Sequence, residues 1–153
     1  MSPYTLLACF LTLIALPVCA QDSVPPPRSV RPVVGLRVGP PLRAAFNLGL
    51  ALGHYEGAEG AFLGTGVVVE AGSGGGEVSL ARIAGSPFGS GRLQVSILHT
   101  WDDPQWVAPG QTYVGVEARL MMGIGVGIGL FGRVRGTTRG DGHLAVINLV
   151  AGI

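Results

Sequence analysis

The chain has 153 residues, enough for one domain, with 48% hydrophobic and only 12% charged residues, 26 Gly and 11 Pro. So few charges and so much glycine exclude an ordinary soluble, helix-rich domain. All ten basic residues are scattered Arg and the formal net charge is +1, which excludes the basic stripe that nucleic-acid binding needs.

The first twenty residues, MSPYTLLACFLTLIALPVCA, hold a long apolar run that ends in Val18-x-Ala20 before Gln21. This pattern predicts a secretory signal peptide over 1–20, cleaved after Ala20. Both cysteines, Cys9 and Cys19, lie inside it, so residues 21–153 have no disulfide framework. Residues 21–32, QDSVPPPRSVRP, carry four prolines and no apolar period, and read as an extended, flexible leader.

From residue 33 to 153 the chain reads as eight strands. Successive side chains on a strand point to opposite faces, so a period of two in hydrophobicity marks one. The first runs from Val33 to Gly39 and is ended by Pro40-Pro41. The second, RAAFNLGLALGHY over Arg43 to Tyr55, sets the pattern for the rest. Phe46, Leu48, Leu50 and Leu52 share one parity, and Ala45, Asn47, Gly49, Ala51 and Gly53 the other. A soluble strand puts bulky residues inward and long charged ones outward. Here the second face is small and polar, as in a strand with lipid outside and a narrow lumen inside.

The third strand covers Phe62 to Ala71 and the fourth Glu77 to Ala84, joined by the flexible GSGGG turn. In the fourth, Arg82 falls on the apolar parity. The fifth runs from Arg92 to Trp101 and is followed by a polar connection, Asp102 to Gln111. The sixth, Thr112 to Met122, must turn tightly at Gly123 into the seventh, Ile124 to Val134. After RGTTRGDGH, whose Asp141-Gly142 is a turn pair, the eighth runs from His143 to Ile153. No helix-length segment separates any two strands, so the sheet is an antiparallel meander. Strand lengths bracket the roughly nine to eleven residues that a tilted strand needs to cross a bilayer. Closure into a ring removes the sheet edges that lipid cannot satisfy.

This pattern resembles the small eight-stranded outer-membrane β-barrels of Gram-negative bacteria over residues 33–153. The resemblance rests on the signal peptide, eight alternating strands and bulky-out parity; no short motif singles out one member. It departs from the family in ending Ala151-Gly152-Ile153 rather than in an aromatic residue. It implies an all-β, antiparallel up-and-down, eight-stranded transmembrane barrel whose lumen is laced with Arg and Glu. Arg37, Glu70, Glu77, Arg92, Glu117 and Arg119 all fall on the small-residue parity and are the expected lumenal polar network. Tyr55, Trp101, Trp106 and Tyr113 near strand ends are the expected interfacial aromatic anchors. The implied partners are outer-membrane lipid and lipopolysaccharide, with the barrel-assembly machinery during insertion, for a monomer in the outer membrane.

Other motifs carry less. Gly127 to Gly132 matches G-x-G-x-x-G, but a dinucleotide site needs a helix opening at those glycines, and this run is a strand. The WDDPQW run, Trp101 to Trp106, brings two carboxylates between two Trp, too few oxygens for calcium, and reads as a turn with interfacial Trp. Ser96 and His99 fall on opposite faces, so no nucleophile pair is visible, and no enzyme, cofactor or metal is expected. Glu117 and Arg119 read as an ion pair filling the lumen in preference to a pore lining. The expected role is structural, adhesive or that of a narrow channel. The alternative is a periplasmic soluble, lipocalin-like barrel binding a hydrophobic ligand, which requires the opposite parity.

Overall fold

The computed structural model describes residues 27–57, 60–136 and 142–152. The signal peptide expected over 1–20, the leader up to residue 26, and Asp141 of the expected turn pair lie outside the described residues.

Eight antiparallel strands follow one another in chain order and close into a ring, β8 returning to β1. They are β1 (Ser29–Gly39), β2 (Arg43–Glu56), β3 (Ala61–Gly72), β4 (Gly75–Ser86), β5 (Gly89–Thr100), β6 (Thr112–Met122), β7 (Ile124–Arg135) and β8 (His143–Gly152). β5 and β7 end, and β6 and β8 begin, at the same end of the barrel, the end joined by the longest connections of the chain. β2, β4 and β6 end at the opposite one, where the connections are short.

The ring is staggered. Starting at Ser29, the ladder passes through Gly53, Gly64, Ile83, Arg92, Arg119, Gly127 and Asn148. The β8–β1 pairing places Asn148 one step beyond Val38–Leu149, against Gly39, ten residues from the start. A stagger of this kind tilts the strands by roughly 35–45° to the barrel axis.

Most strands are longer than their sequence pattern suggests. Glycines that flank turns still join the ladder, so Gly72–Gly75 and Ser86–Gly89 close the hairpins after β3 and β4. β1 begins at Ser29, which takes Ser29 to Pro32 out of the expected leader. Pro32 pairs with Leu50 on one side, while the described pairing with β8 covers only Gly35 to Val38. With no described β8 residue beside Pro32, its missing N–H interrupts no described ladder bond to β8. β5 ends at Thr100, so Trp101 lies outside it. β6 passes to β7 through Gly123 alone, at φ +83°, a conformation open to glycine at little cost.

Burial alternates along every strand. The outer face carries the bulky residues: Leu36, Leu48, Leu50, Ile128, Leu130 and Ile147 are each between 56% and 65% exposed. The inner face carries two packed apolar clusters. One joins Leu42, Ala45, Leu98, Tyr113, Phe131, Leu144 and Val146; the other joins Val33, Ala51, Phe62, Val68, Ala81 and Ile83. Buried polar side chains lie between them: β1 and its turn run Val33, Arg37, Leu42, and β2 runs Ala45, Asn47, Ala51.

Candidate functional site

Six charged side chains converge inside the ring. Arg37 comes from β1, Glu70 from β3, Glu77 from β4, Arg92 from β5, and Glu117 and Arg119 from β6. All are at most 5% exposed. Three Arg meet three Glu, so the cluster is formally neutral. A buried charge without a partner costs several kcal/mol, and this balance removes that cost.

The pairing follows from register in an unexpected way. Direct cross-strand neighbours are like-charged: Glu70 lies opposite Glu77, and Arg92 opposite Arg119. Such pairs destabilise an isolated hairpin. The ring folds the two halves onto each other. Arg37 Nη1 donates to Glu77 Oε2 at 2.7 Å and to Glu70 Oε2 at 3.2 Å, and lies 3.4 Å from Glu117 Oε2. Glu70 Oε1 accepts from Arg92 Nη2 at 3.0 Å and from Arg119 Nη1. Arg119 also forks onto Glu117, with Nε at 2.7 Å and Nη2 at 3.1 Å. One acidic hairpin is thus neutralised by arginines from β1, β5 and β6, a contact set available only when all these strands are in place.

Amide side chains extend the network. Gln94 Nε2 donates to Glu77 Oε1 at 2.8 Å and Asn148 Nδ2 to Glu117 Oε1 at 3.3 Å. Ser79 Oγ donates to the Val68 carbonyl at 3.2 Å. Asn148 belongs to a strand that reads as almost wholly apolar; the one available signal was its parity.

The glycine run in β7 makes room for this cluster. Gly127 and Gly129 pair with Arg119 and Glu117. A Cβ on Gly127 would lie 2.6 Å from Glu117 Oε1 and 3.1 Å from Arg119 Cγ. The G-x-G-x-x-G spacing therefore lies on a strand and accommodates neighbouring side chains.

The end of the barrel with the long connections is capped. Leu42, fully buried, closes it from the β1–β2 turn, and Val107 packs on the same apolar cluster from the β5–β6 loop. That loop is tied down by Gln105 N–H to the Pro41 carbonyl at 3.1 Å and Trp101 N–H to the Gly74 carbonyl at 3.2 Å. Thr100 Oγ1 adds a bond to the Ala108 carbonyl at 2.9 Å. Asp103 of WDDPQW forms an exposed ion pair with Arg43. Among the described residues no group of three or more His, Cys, Asp or Glu is arranged to hold a metal ion. Ser96 is buried inside and His99 is exposed, bonded to Thr112 Oγ1 at 3.0 Å.

The four expected aromatic anchors part company. Trp101, beside His99 and 37% exposed, and Trp106, 74% exposed, lie at the long-loop end. Tyr113 is not an outer anchor: it is 1% exposed and its hydroxyl donates to Gln111 Oε1 inside the barrel. Its lumenal parity outweighs its place near a strand end. Tyr55 also has lumenal parity and stacks edge-on against Phe62 at 5.4 Å, at the mouth of the short-turn end. No known protein family, curated protein or solved structure matches the chain.

Proposed function

We propose that the protein is a bacterial outer-membrane barrel, exported by its N-terminal segment and embedded as a monomer, with a sealed lumen and a structural or adhesive role. The observation that carries this reading is the inversion of faces. Among the described residues twenty-six large apolar or aromatic side chains are exposed, most of them on the outer wall, while the ionic network is inside. Soluble monomers rarely expose a contiguous apolar patch beyond about 600 Å². An eleven-residue strand tilted at about 40° rises roughly 27 Å, close to the height of an outer-membrane apolar band.

Lipid would solvate the Val, Leu and Ile belt, and the packed interior would leave the wall rigid and closed. The ionic cluster and the Leu42–Val107 cap argue for a structural barrel over a narrow channel. A soluble carrier of a hydrophobic ligand needs an apolar, open lumen, and the charged interior favours no such role. Specificity for a surface partner would reside in the long connections, where Trp106 is displayed.

The test is folding in and out of detergent. The purified protein should fold only with micelles, and should migrate differently on SDS gels before and after boiling. Folding as a monomer in plain buffer, without a boiling shift, would overturn the reading.

A further inference from the structure

We infer that the outer wall holds a binding site for the phosphate of an anionic glycerophospholipid, built around Arg82. This rests on the membrane reading above.

Away from strand ends, Arg82 is the one charged side chain on the outer face among the described residues. It is exposed, on the same face as Val78 and Leu80, and bonds to no described residue. An Arg on a lipid-facing wall costs about 2–4 kcal/mol at the bilayer midplane and almost nothing near the interface. Arg82 stands four residues before Ser86, the end of β4. That is about 13 Å along the strand and roughly 10 Å below the rim. Its stem can lie along the wall and carry the guanidinium toward the headgroups.

Two neighbours turn this position into a site. Thr65 is the direct cross-strand partner of Arg82 and faces outward beside it, adding a hydroxyl donor within reach of the same oxygens. Toward the rim, Ala84 pairs with Gly91, leaving the wall low. A Cβ on Gly91 would meet nothing nearer than Leu120 Cδ2 at 3.6 Å. These two residues help to line an open depression of about 530 Å³, bounded on the wall by Leu63, Leu120 and Met122. The depression lies between Arg82 and the rim, so it suits the phosphate and glycerol, reached from below by the Arg82 fork, while the acyl chains run down the wall past Leu80 and Val78. Guanidinium forks match phosphate oxygens two at a time.

Native mass spectrometry of the full-length protein in an uncharged maltoside detergent tests this, with phosphatidylglycerol, phosphatidylcholine or inorganic phosphate added. The wild type should retain one phosphatidylglycerol per barrel. Arg82→Gln should lower that affinity about tenfold, Thr65→Val less, and Arg82→Lys should restore part of it. The boiling shift should be unchanged in all three variants, because Arg82 supports no contact in the fold. Equal retention by Arg82→Gln with an intact boiling shift would overturn the lipid site and leave the barrel reading standing. Displacement of the lipid by millimolar inorganic phosphate would assign the site to free phosphate and overturn it likewise. A protein that folds without detergent and retains no lipid would overturn both.

Discussion

Replacing Arg37 by Met is the sharpest perturbation of the interior. Among the described residues its Nη1 is the sole guanidinium partner of Glu77, and it bridges the like-charged pair Glu70–Glu77. Without it, three buried carboxylates face two arginines, and Glu77 keeps only the amide of Gln94. Removing one member of a buried pair costs about 3–5 kcal/mol, chiefly because the remaining charge is stranded. With urea slopes of about 1–3 kcal/mol/M, the unfolding midpoint should fall by about 1 M or more. The assay is urea titration of the refolded barrel, read by the boiling shift and tryptophan fluorescence. Glu77→Gln alone should also destabilise. The double variant Arg37→Met, Glu77→Gln should recover about 1–3 kcal/mol relative to the sum of the singles, the coupling of groups in one network. A loss below about 1 kcal/mol for Arg37→Met, or additive singles, would refute the role assigned to the cluster.

Gly127→Ala should cost about 1–3 kcal/mol by forcing a methyl into the Glu117–Arg119 pair, whereas Gly132→Ala, whose nearest contact is the Val114 carbonyl at 3.9 Å, should be nearly neutral by the same urea titration. Leu50→Arg on the outer wall should destabilise the refolded barrel by up to about 2–4 kcal/mol in bilayers; an effect under about 0.5 kcal/mol would speak for water on that face. Asp103→Ala should remove the exposed pair with Arg43 at a cost of less than about 1 kcal/mol, because solvent and salt screen it and the backbone bonds of the loop remain.

The ring of eight strands was legible because small and polar side chains recur on the lumenal face against bulky apolar ones on the outer wall, which makes the alternation clean. In β2 that alternation alone separates Leu48 and Leu50 from Asn47 and Ala51. Strand ends were less legible, since glycine reads as a turn whether or not its backbone stays in the ladder. Gly75, Gly76 and Gly89 all pair. Pro32 reads as a breaker, yet sits in β1 where no β8 partner is described beside it.

Within the site, parity identified the charged residues but not their partners. The signs alternate at Glu117 and Arg119, and that pair does form along the strand. The remaining pairs join residues 22 to 80 apart, because the stagger of the ring decides which side chains face each other. Register is a property of the closed sheet and not of any one strand. Tyr113 shows the same lesson from the other side: its parity predicted its place better than its nearness to a strand end.

The central claim is that bulky residues face lipid and charged ones face inward, and site-specific labelling measures this most directly. Residues 21–153 contain no cysteine, so single cysteines can be placed at Leu50, Ile128 and Ile147 and at Val68 and Ala81, with Cys9 and Cys19 replaced by Ser. Each is labelled with a fluorophore and reconstituted in vesicles carrying nitroxide lipids. Labels at 50, 128 and 147 should be quenched by the lipid, and labels at 68 and 81 should be protected or should abolish folding. Quenching that fails to alternate, or that is confined to positions 68 and 81, would contradict it.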